Sequence, residues 1–308
     1  MLSSTAFPGP RIRGTTDVYL ILGDPVEQVR APESFNLVFE QLGIDAVLVP
    51  ARVAPADLQE FVRAAFKAAN VKGMWVTIPH KEPLMALLDD SSALAQAAGA
   101  VNAIRRNADG TLTGDLFDGE GFAAGLAHAG IGWTKRKLLV IGAGGAAAAI
   151  GASLALGPQA AAELAFFDPV PGKAQQLVAR LQRAGALGVR AAATSDPAGH
   201  DLVINASPLG LNAGDPLPCD VGRMAPHAAL VDILMKNQPS PVVRAARARG
   251  LVAQPGFEMM IQQTHLYLEF FGLHEAARAV RGNCNFIREL IYPPQLRGEI
   301  PLPPAALL

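Results

Sequence analysis

A glycine-rich turn between an apolar strand and an alanine-rich helix restricts the fold of this chain more than any other feature. The turn reads Gly142-Ala143-Gly144-Gly145 and follows an apolar run at residues 138–141. Glycine lets a backbone come close to a pyrophosphate, and the free N–H groups at the start of the next helix attract its charge. The turn therefore predicts a dinucleotide-binding unit, the alternative being a glycine turn of purely packing origin.

Short apolar runs and helical patterns alternate on both sides of this turn. Before it, the patterns predict strands at residues 18–22, 46–49, 73–78, 101–106 and 111–114, the last two joined by an Asp-Gly hairpin signal. After it, they predict strands at residues 163–167, 189–192, 201–205 and 229–233. Strands that alternate with helices in this way predict an α/β fold with a doubly wound parallel sheet.

The 308 residues are enough for two domains of ordinary size. We expect an α/β substrate-binding domain over residues 1–118 and a Rossmann domain with the doubly wound sheet over residues 119–253. Residues 254–308 are expected to form C-terminal helices that return to the first domain. Long helices are predicted at residues 258–271 and 274–290, followed by a proline-rich, extended tail from residue 292.

Composition excludes several classes of partner. The net charge is −1, from 26 basic and 27 acidic residues, and no polybasic segment is present, so we expect no nucleic-acid partner. Cys219 and Cys284 lack the spacing of a metal site, which predicts free thiols in a reducing cytoplasm and no metal. We expect a monomer or a homodimer.

A second set of exclusions concerns targeting and membranes. The first 13 residues lack the apolar core of a signal peptide. Residues 138–162 are uncharged and long enough to cross a bilayer, but five glycines and Pro158 interrupt them. We therefore expect a cytoplasmic protein that does not insert into membranes.

Asp168 ends the strand that follows the dinucleotide turn. A carboxylate at this place accepts hydrogen bonds from ribose hydroxyls and repels a 2′-phosphate. Four residues without positive charge separate it from Lys173. The sequence therefore predicts NAD as the cofactor, with NADP less favoured; the alternative is that Asp168 is a turn or helix-cap residue.

The segment Asn205-Ala206-Ser207-Pro208-Leu209-Gly210 ends a later strand and is expected to lie beside the nicotinamide ribose, unless it is an ordinary turn. The predicted cofactor-binding residues are Gly142, Ala143, Gly144, Gly145, Asp168, Asn205, Ser207, Pro208 and Leu209.

Several short motifs occur in an order that resembles the shikimate/quinate dehydrogenase family over roughly residues 17–285. These motifs are Gly23-Asp24-Pro25, Val76-Thr77-Ile78-Pro79-His80-Lys81-Glu82, Gly99-Ala100-Val101-Asn102-Ala103, Asp118-Gly119, Gly142-Ala143-Gly144-Gly145, Ile204-Asn205-Ala206-Ser207-Pro208-Leu209-Gly210 and Gln263. Each motif is modest alone, whereas their order and spacing are specific.

The resemblance implies reversible hydride transfer between a nicotinamide cofactor and a ring hydroxyl of a cyclohexene or cyclohexane carboxylate. Lys81 and Asp118 match the catalytic pair of the family, while Thr77, Asn102 and Gln263 match positions that hold ring hydroxyls. Oxidation of an alcohol requires a base for the hydroxyl proton. Without the resemblance, Lys81 is equally a solvated lysine at a strand end and Asp118 a helix N-cap.

The chain also departs from the family pattern. Val29 and Ala31 stand where the family carries two serines that hold the substrate carboxylate, and Arg30 between them is the candidate replacement through a bidentate ion pair. The alternative is that Arg30 faces solvent. Trp75, Phe117 and Met235 replace further family residues and make the expected pocket more apolar.

These departures predict a family paralogue with an altered hydroxy-acid substrate, for which shikimate and quinate are the reference compounds. Two alternatives stay open from the sequence. One is a non-catalytic NAD- or metabolite-binding sensor on the same scaffold, and the other is a dehydrogenase of an unrelated small substrate.

Overall fold

Two six-stranded sheets organise the protein in a computed structural model that describes residues 12–157, 159–212 and 214–300. The first sheet contains β1 (Asp17–Gly23), β2 (Ala46–Arg52), β3 (Val71–Val76), β4 (Asp90–Ser91), β5 (Ala103–Arg106) and β6 (Leu112–Asp115). The second contains β7 (Lys137–Ile141), β8 (Glu163–Phe167), β9 (Val189–Ala191), β10 (Leu202–Asn205), β11 (Ala229–Asp232) and β12 (Val252–Pro255).

Helices cover and connect the two sheets. They are α1 (Ala31–Gln41), α2 (Leu58–Ala65), α3 (Ala93–Ala98), α4 (Asp118–His128), α5 (Gly145–Leu156), α6 (Lys173–Arg183), α7 (Pro241–Ala248), α8 (Phe257–Gln262), α9 (Thr264–Phe270), α10 (His274–Gly282) and α11 (Asn285–Ile291). Short 3₁₀ helices cover Pro83–Leu87, Val221–Arg223 and Pro294–Glu299.

The second sheet is parallel throughout, in the order β12-β11-β10-β7-β8-β9. Its central strand β7 is apolar along nearly its whole length, because helices cover both faces of such a sheet. This confirms the predicted α/β class with a doubly wound parallel sheet.

The first sheet has the order β2-β1-β3-β5-β6-β4 and mixes parallel with antiparallel pairs. Strand β1 is parallel to β2 and β3, whereas β5 is antiparallel to β3 and β6. The predicted hairpin is present between β5 and β6, and Gly110 in its turn has φ +91°. Glycine adopts such a positive φ without the steric cost other residues incur.

The C-terminal helices return to the first sheet, as expected. Ile261, Leu268 and Ile287 share one buried cluster with Tyr19 and Trp75 of strands β1 and β3. Side chains of the first sheet and of the C-terminal helices therefore form one core on this face of the first sheet.

Both long C-terminal helices differ from the prediction, because each is broken. The first divides into α8 and α9 at Gln263, beside Thr264, whose hydroxyl donates to the carbonyl of Met260. The second divides into α10 and α11 at Asn283, whose backbone is extended at φ −155° and ψ 111°. A side-chain hydrogen bond to a helix carbonyl competes with the backbone ladder, which accounts for the first break.

The chain after Tyr292 also differs from the expected extended tail. Residues Pro294–Glu299 form a 3₁₀ helix, and Leu296 within it is buried. The remaining tail residues 301–308, like residues 1–11 at the other end, lie outside the described residues.

The described residues contain no helix long and apolar enough to cross a membrane, and they bring no three metal-ligating side chains together. Cys219 and Cys284 are both free and buried. Burial raises the pKa of the Cys284 thiol to about 11, so it stays protonated at neutral pH.

Candidate active site

Lys81 and Asp118 come together at the junction of the two sheets. Lys81 follows strand β3, and Asp118 is the first residue of α4. The Lys81 Nζ donates a hydrogen bond to Asp118 Oδ2, and both side chains are largely buried. A carboxylate in this position holds the amine in one orientation.

The backbone around Lys81 is anchored on both sides. The Lys81 carbonyl accepts a hydrogen bond of 2.9 Å from the Val101 amide. His80 is completely buried, and its Nε2 lies 2.8 Å from the carbonyl oxygen of Val53. His80 therefore points away from Lys81 and fastens the turn to the end of β2.

The stem of Lys81 lies against the dinucleotide turn. A Cβ placed on Gly145, the first residue of α5, would lie 3.5 Å from Lys81 Cδ. The candidate proton acceptor therefore borders the helix N-terminus that would receive a pyrophosphate.

Two of the predicted hydroxyl-binding residues contact each other. Asn102 Nδ2 donates to Gln263 Oε1 at 3.2 Å, and Asn102 Oδ1 accepts from the Phe117 amide at 3.0 Å. The Tyr267 hydroxyl, which the sequence did not indicate, donates to the Asn102 carbonyl at 3.2 Å. Burial raises the pKa of Tyr267 well above its ordinary value, which keeps this hydroxyl a donor.

Thr77 directly follows β3 and is half-buried. Its methyl carbon lies against Gly23, where a Cβ would come within 2.5 Å of it. A side chain on Gly23 would therefore displace Thr77, which explains a glycine at the end of β1.

Arg30 is not brought into contact with these residues. Its guanidinium makes a bidentate ion pair with Glu33, at 2.8 and 2.9 Å, in the first turn of α1. Val29 and Ala31 on either side of it pack against the aromatic core. A role for Arg30 in holding a carboxylate stays a prediction.

Trp75 and Phe117, which stand at positions where this chain departs from the family, belong to an aromatic cluster below the candidate site. The ring of Trp75 stacks on Tyr267 at 5.0 Å, and the ring of Phe117 meets Tyr267 edge-on at 5.0 Å. Phe35 packs on Trp75 at 4.7 Å. Trp75 is 1% exposed, so it supports the floor of the site from within the core.

The dinucleotide turn has the space and the backbone that a pyrophosphate requires. A Cβ on Gly144 would meet nothing within 4 Å, so the backbone is open on the side where a ligand binds. Gly142 has φ +113°, and a Cβ there would lie 2.5 Å from the carbonyl oxygen of Ala206. The α5 N-terminus supplies free N–H groups, so these residues fit a dinucleotide.

The loop after β10 is held by a buried network. Asn205 Oδ1 accepts from the Ser207 hydroxyl at 2.6 Å, and Asn205 Nδ2 donates to the Leu209 carbonyl at 3.1 Å. Ser207 Oγ in turn accepts from the Leu209 amide at 3.3 Å, so these hydrogen bonds hold the segment that includes Pro208, from Asn205 to Leu209.

Asp232 lies behind this loop and was missed in the sequence. It is fully buried and accepts hydrogen bonds from Asn205 Nδ2 at 3.0 Å and from the Ser240 hydroxyl. Burial raises the pKa of Asp232, although its hydrogen bonds oppose that shift. Its position at the end of β11, next to β10, is the signal that would have identified it.

Asp168 contacts the glycine turn directly. Its carboxylate accepts hydrogen bonds from the amides of Ala143 at 2.9 Å and Val170 at 3.0 Å, and Lys173 Nζ lies 3.6 Å from it. The carboxylate thus holds the glycine turn and is paired with a cation. These contacts fit the turn-residue alternative, and a role of Asp168 in binding the ribose stays a prediction.

Comparison with known proteins gives consistent matches. Residues 21–104 match the family described as shikimate dehydrogenase substrate binding domain. A Rubrobacter xylanophilus protein named shikimate dehydrogenase (NADP(+)) is 38% identical over 82% of this chain and 90% of its own length. One of the same name from Acidiphilium cryptum is 37% identical over 79% of this chain and 86% of its own.

Solved structures agree with these sequence matches. Shikimate 5-dehydrogenase from Thermus thermophilus, in complex with NADP(H) and shikimate, superposes with a TM-score of 0.74 at 27% identity. The match covers 86% of this chain and all of that one.

The expected preference for NAD over NADP is wrong. The relatives that match over most of their length are named as NADP(+) enzymes, and the Thermus structure holds NADP(H). Asp168, on which that expectation rested, accepts hydrogen bonds from two backbone amides and lies 3.6 Å from the Lys173 ammonium, so its negative charge is partly balanced and repels a 2′-phosphate less than a free carboxylate would.

The order of the motifs, the two-sheet fold and these matches lead to one conclusion. The chain belongs to the shikimate dehydrogenase family and is an oxidoreductase that acts on a CH–OH group.

Proposed function

We propose that this protein catalyses the reversible, NADP-dependent oxidation of a ring hydroxyl of shikimate or a closely related hydroxy acid such as quinate. The observation that carries the proposal is the position of Lys81, which contacts Asp118 through its amine and borders Gly145 of the dinucleotide turn through its stem. Proton acceptor and cofactor site are thus adjacent.

Lys81 would take the hydroxyl proton as the C–H bond of the alcohol carbon breaks. Asp118 supports this step in two ways, since its carboxylate orients the amine and stabilises the ammonium that forms. In the reverse direction the same ammonium returns the proton to the carbonyl oxygen. A nicotinamide cofactor, when bound, supplies the hydride acceptor.

Asn102 and Gln263 would hold the remaining ring hydroxyls. Both side chains are buried, and each amide offers donors and acceptors beyond the single hydrogen bond between them. Thr77 would add a hydroxyl from the end of β3. A site built to hydrogen-bond hydroxyls rejects analogues that lack them, because its polar groups are then left unpaired.

For the 2′-phosphate of NADP we propose Lys173 at the start of α6. Its side chain is nearly half exposed, and its ammonium lies 3.6 Å from Asp168, next to the glycine turn. The substrate carboxylate would be held by Arg30, which requires exchange of its contact with Glu33 for the ligand.

The test is initial-rate formation of NADPH with shikimate, quinate and a panel of related hydroxy acids, with NAD in place of NADP in a parallel series. Turnover of shikimate or quinate with NADP supports the proposal. Binding of NADP without turnover of any panel member contradicts it and favours a metabolite-binding role.

A further inference from the structure

Helix α4 contains three glycines, although glycine inside a helix is unfavourable relative to alanine. Each of them lies against another element. A Cβ on Gly119 would come 2.1 Å from the carbonyl oxygen of Ala149 in α5. Gly121 and Gly125 instead face α8, so the three glycines serve close packing on two sides of one helix.

The contact of Gly121 reaches a residue of the site. A Cβ there would lie 2.3 Å from the carbonyl oxygen of Met259 and 2.8 Å from Gln263 Cβ. At Gly125 the approach is less close, with 3.1 Å to Glu258 Cβ. Real Cβ atoms do not come within 3.0 Å of a backbone oxygen, so alanine at residue 121 requires α8 or Gln263 to move.

Helix α8 is also held from its other side. Glu258 makes a bidentate ion pair with Arg288 of α11, at 2.7 and 2.8 Å, and accepts a hydrogen bond of 2.9 Å from the Tyr292 hydroxyl. The three side chains are buried. Because this end of α8 is fixed, we expect the displacement to be taken up toward Gln263, where α8 ends.

We infer that Gly121 is a positioning residue that sets the place of Gln263 relative to Asn102 and Asp118. The missing side chain lets α8 approach α4 closely enough for the hydrogen bond between Gln263 and Asn102. Asp118 begins the same helix and contacts Lys81. One helix thus fixes the distance between the proton-accepting pair and a hydroxyl-binding amide. The inference rests on the proposed function for the role of these residues.

The experiment is a double-mutant cycle of Gly121→Ala and Gln263→Ala. Gly121→Ala should lower kcat/KM for shikimate about ten- to a hundredfold, since a displacement near 1 Å has effects of this size. The loss should appear mainly in KM for shikimate, with KM for NADP unchanged. In the Gln263→Ala background, Gly121→Ala should have little further effect, because the side-chain amide whose position residue 121 sets is gone.

Gly132→Ala is the matched control. A Cβ on this exposed glycine would come no closer than 3.9 Å to any other group, so the kinetic constants should stay at their wild-type values. Additive losses from Gly121→Ala and Gln263→Ala would overturn the inference, as would a Gly121→Ala protein with wild-type kinetics.

A second variant and an NMR measurement test the inference if Gly121→Ala does not fold or if the proposed function fails. If Gly121→Ala does not fold, Gly125→Ala replaces it in the cycle, with a smaller effect in the same direction. If the wild-type protein turns over no panel member, the proposed function fails. In that case the side-chain amide NMR signals of Asn102 and Gln263 still test the inference. They should shift in Gly121→Ala and not in Gly132→Ala, and unchanged signals would overturn it.

Discussion

The side-chain amides of Asn102 and Gln263 are hydrogen-bonded at 3.2 Å, although 161 residues separate them in the chain. Asn102 precedes β5, and Gln263 stands between two helices that return from beyond the second sheet. The substrate side of the site is therefore complete only after nearly the whole chain has folded. An isolated N-terminal fragment would lack Gln263 and the helices that place it.

Lys81→Ala should lower kcat roughly 10²- to 10⁴-fold, because it removes the proposed proton acceptor. The affinity for NADPH, measured by fluorescence titration, should stay within about a factor of three, since the stem of Lys81 only borders the glycine turn. Lys72→Ala, on an exposed lysine of β3, is the control. Loss of NADPH binding in Lys81→Ala would make Lys81 a structural residue instead.

Lys173→Ala should raise KM for NADP about tenfold and leave KM for NAD nearly unchanged. The physical reason is the loss of a charge-assisted hydrogen bond to a group that only NADP carries. Steady-state kinetics with both cofactors measure the difference. An equal change for NADP and NAD would assign Lys173 to holding Asp168 and the turn rather than to the phosphate.

Arg30→Gln should raise KM for shikimate about tenfold, because a carboxylate would lose a bidentate partner. KM for NADP serves as the internal reference and should not change. Glu33→Gln tests the exchange of partners, since it frees Arg30 from its ion pair and should lower KM for shikimate. Wild-type kinetics in both variants would show that Arg30 takes no part in binding.

Arg288→Met should destabilise the protein by about 3 kcal/mol, because Glu258 would remain buried without its partner. Urea unfolding at neutral pH measures this loss. Arg278→Met removes an exposed arginine of α10 and should have almost no effect.

The same pair predicts a dependence of stability on pH. Burial alone would raise the pKa of Glu258, but the hydrogen bonds and charge of Arg288 outweigh it, so the pKa is lowered. A carboxylate whose pKa is lower in the folded state stabilises the protein above its unfolded pKa, roughly 4.3. This contribution is lost as the pH falls through the folded pKa. Arg288→Met should lose less stability than wild type on acidification, and an equal loss in both would contradict the assignment.

The patterns that predicted the fold are local and repeated. Apolar runs predicted the strands of both sheets except β4 and β12, and Asp109-Gly110 predicted the hairpin between β5 and β6, because turn chemistry and strand periodicity act over a few residues. The breaks at Gln263 and Asn283 were not predictable in this way. They depend on the hydrogen bond of the Thr264 hydroxyl and on the extended backbone of Asn283, which the helical spacing of the flanking apolar residues does not reveal.

For the candidate site, the sequence identified individual residues but not which residues contact each other. The resemblance identified Lys81, Asp118, Asn102 and Gln263, and the structure brings them together in two contacting pairs. The NAD preference inferred from Asp168 was wrong, because a carboxylate at a strand end has the same sequence signature whether it faces a ribose or backbone amides. Only the three-dimensional neighbours distinguish the two.

The contact between Lys81 and Gly145 limits how the cofactor preference of this enzyme can be redesigned. A methyl group on residue 145 would just fit at 3.5 Å from Lys81 Cδ, whereas any longer side chain would push the lysine stem aside. A dinucleotide turn that is grafted from another dehydrogenase and carries a larger side chain at this position would therefore alter the chemistry as well as the cofactor. Engineers who wish to exchange the cofactor should keep residue 145 small and make their changes around α6.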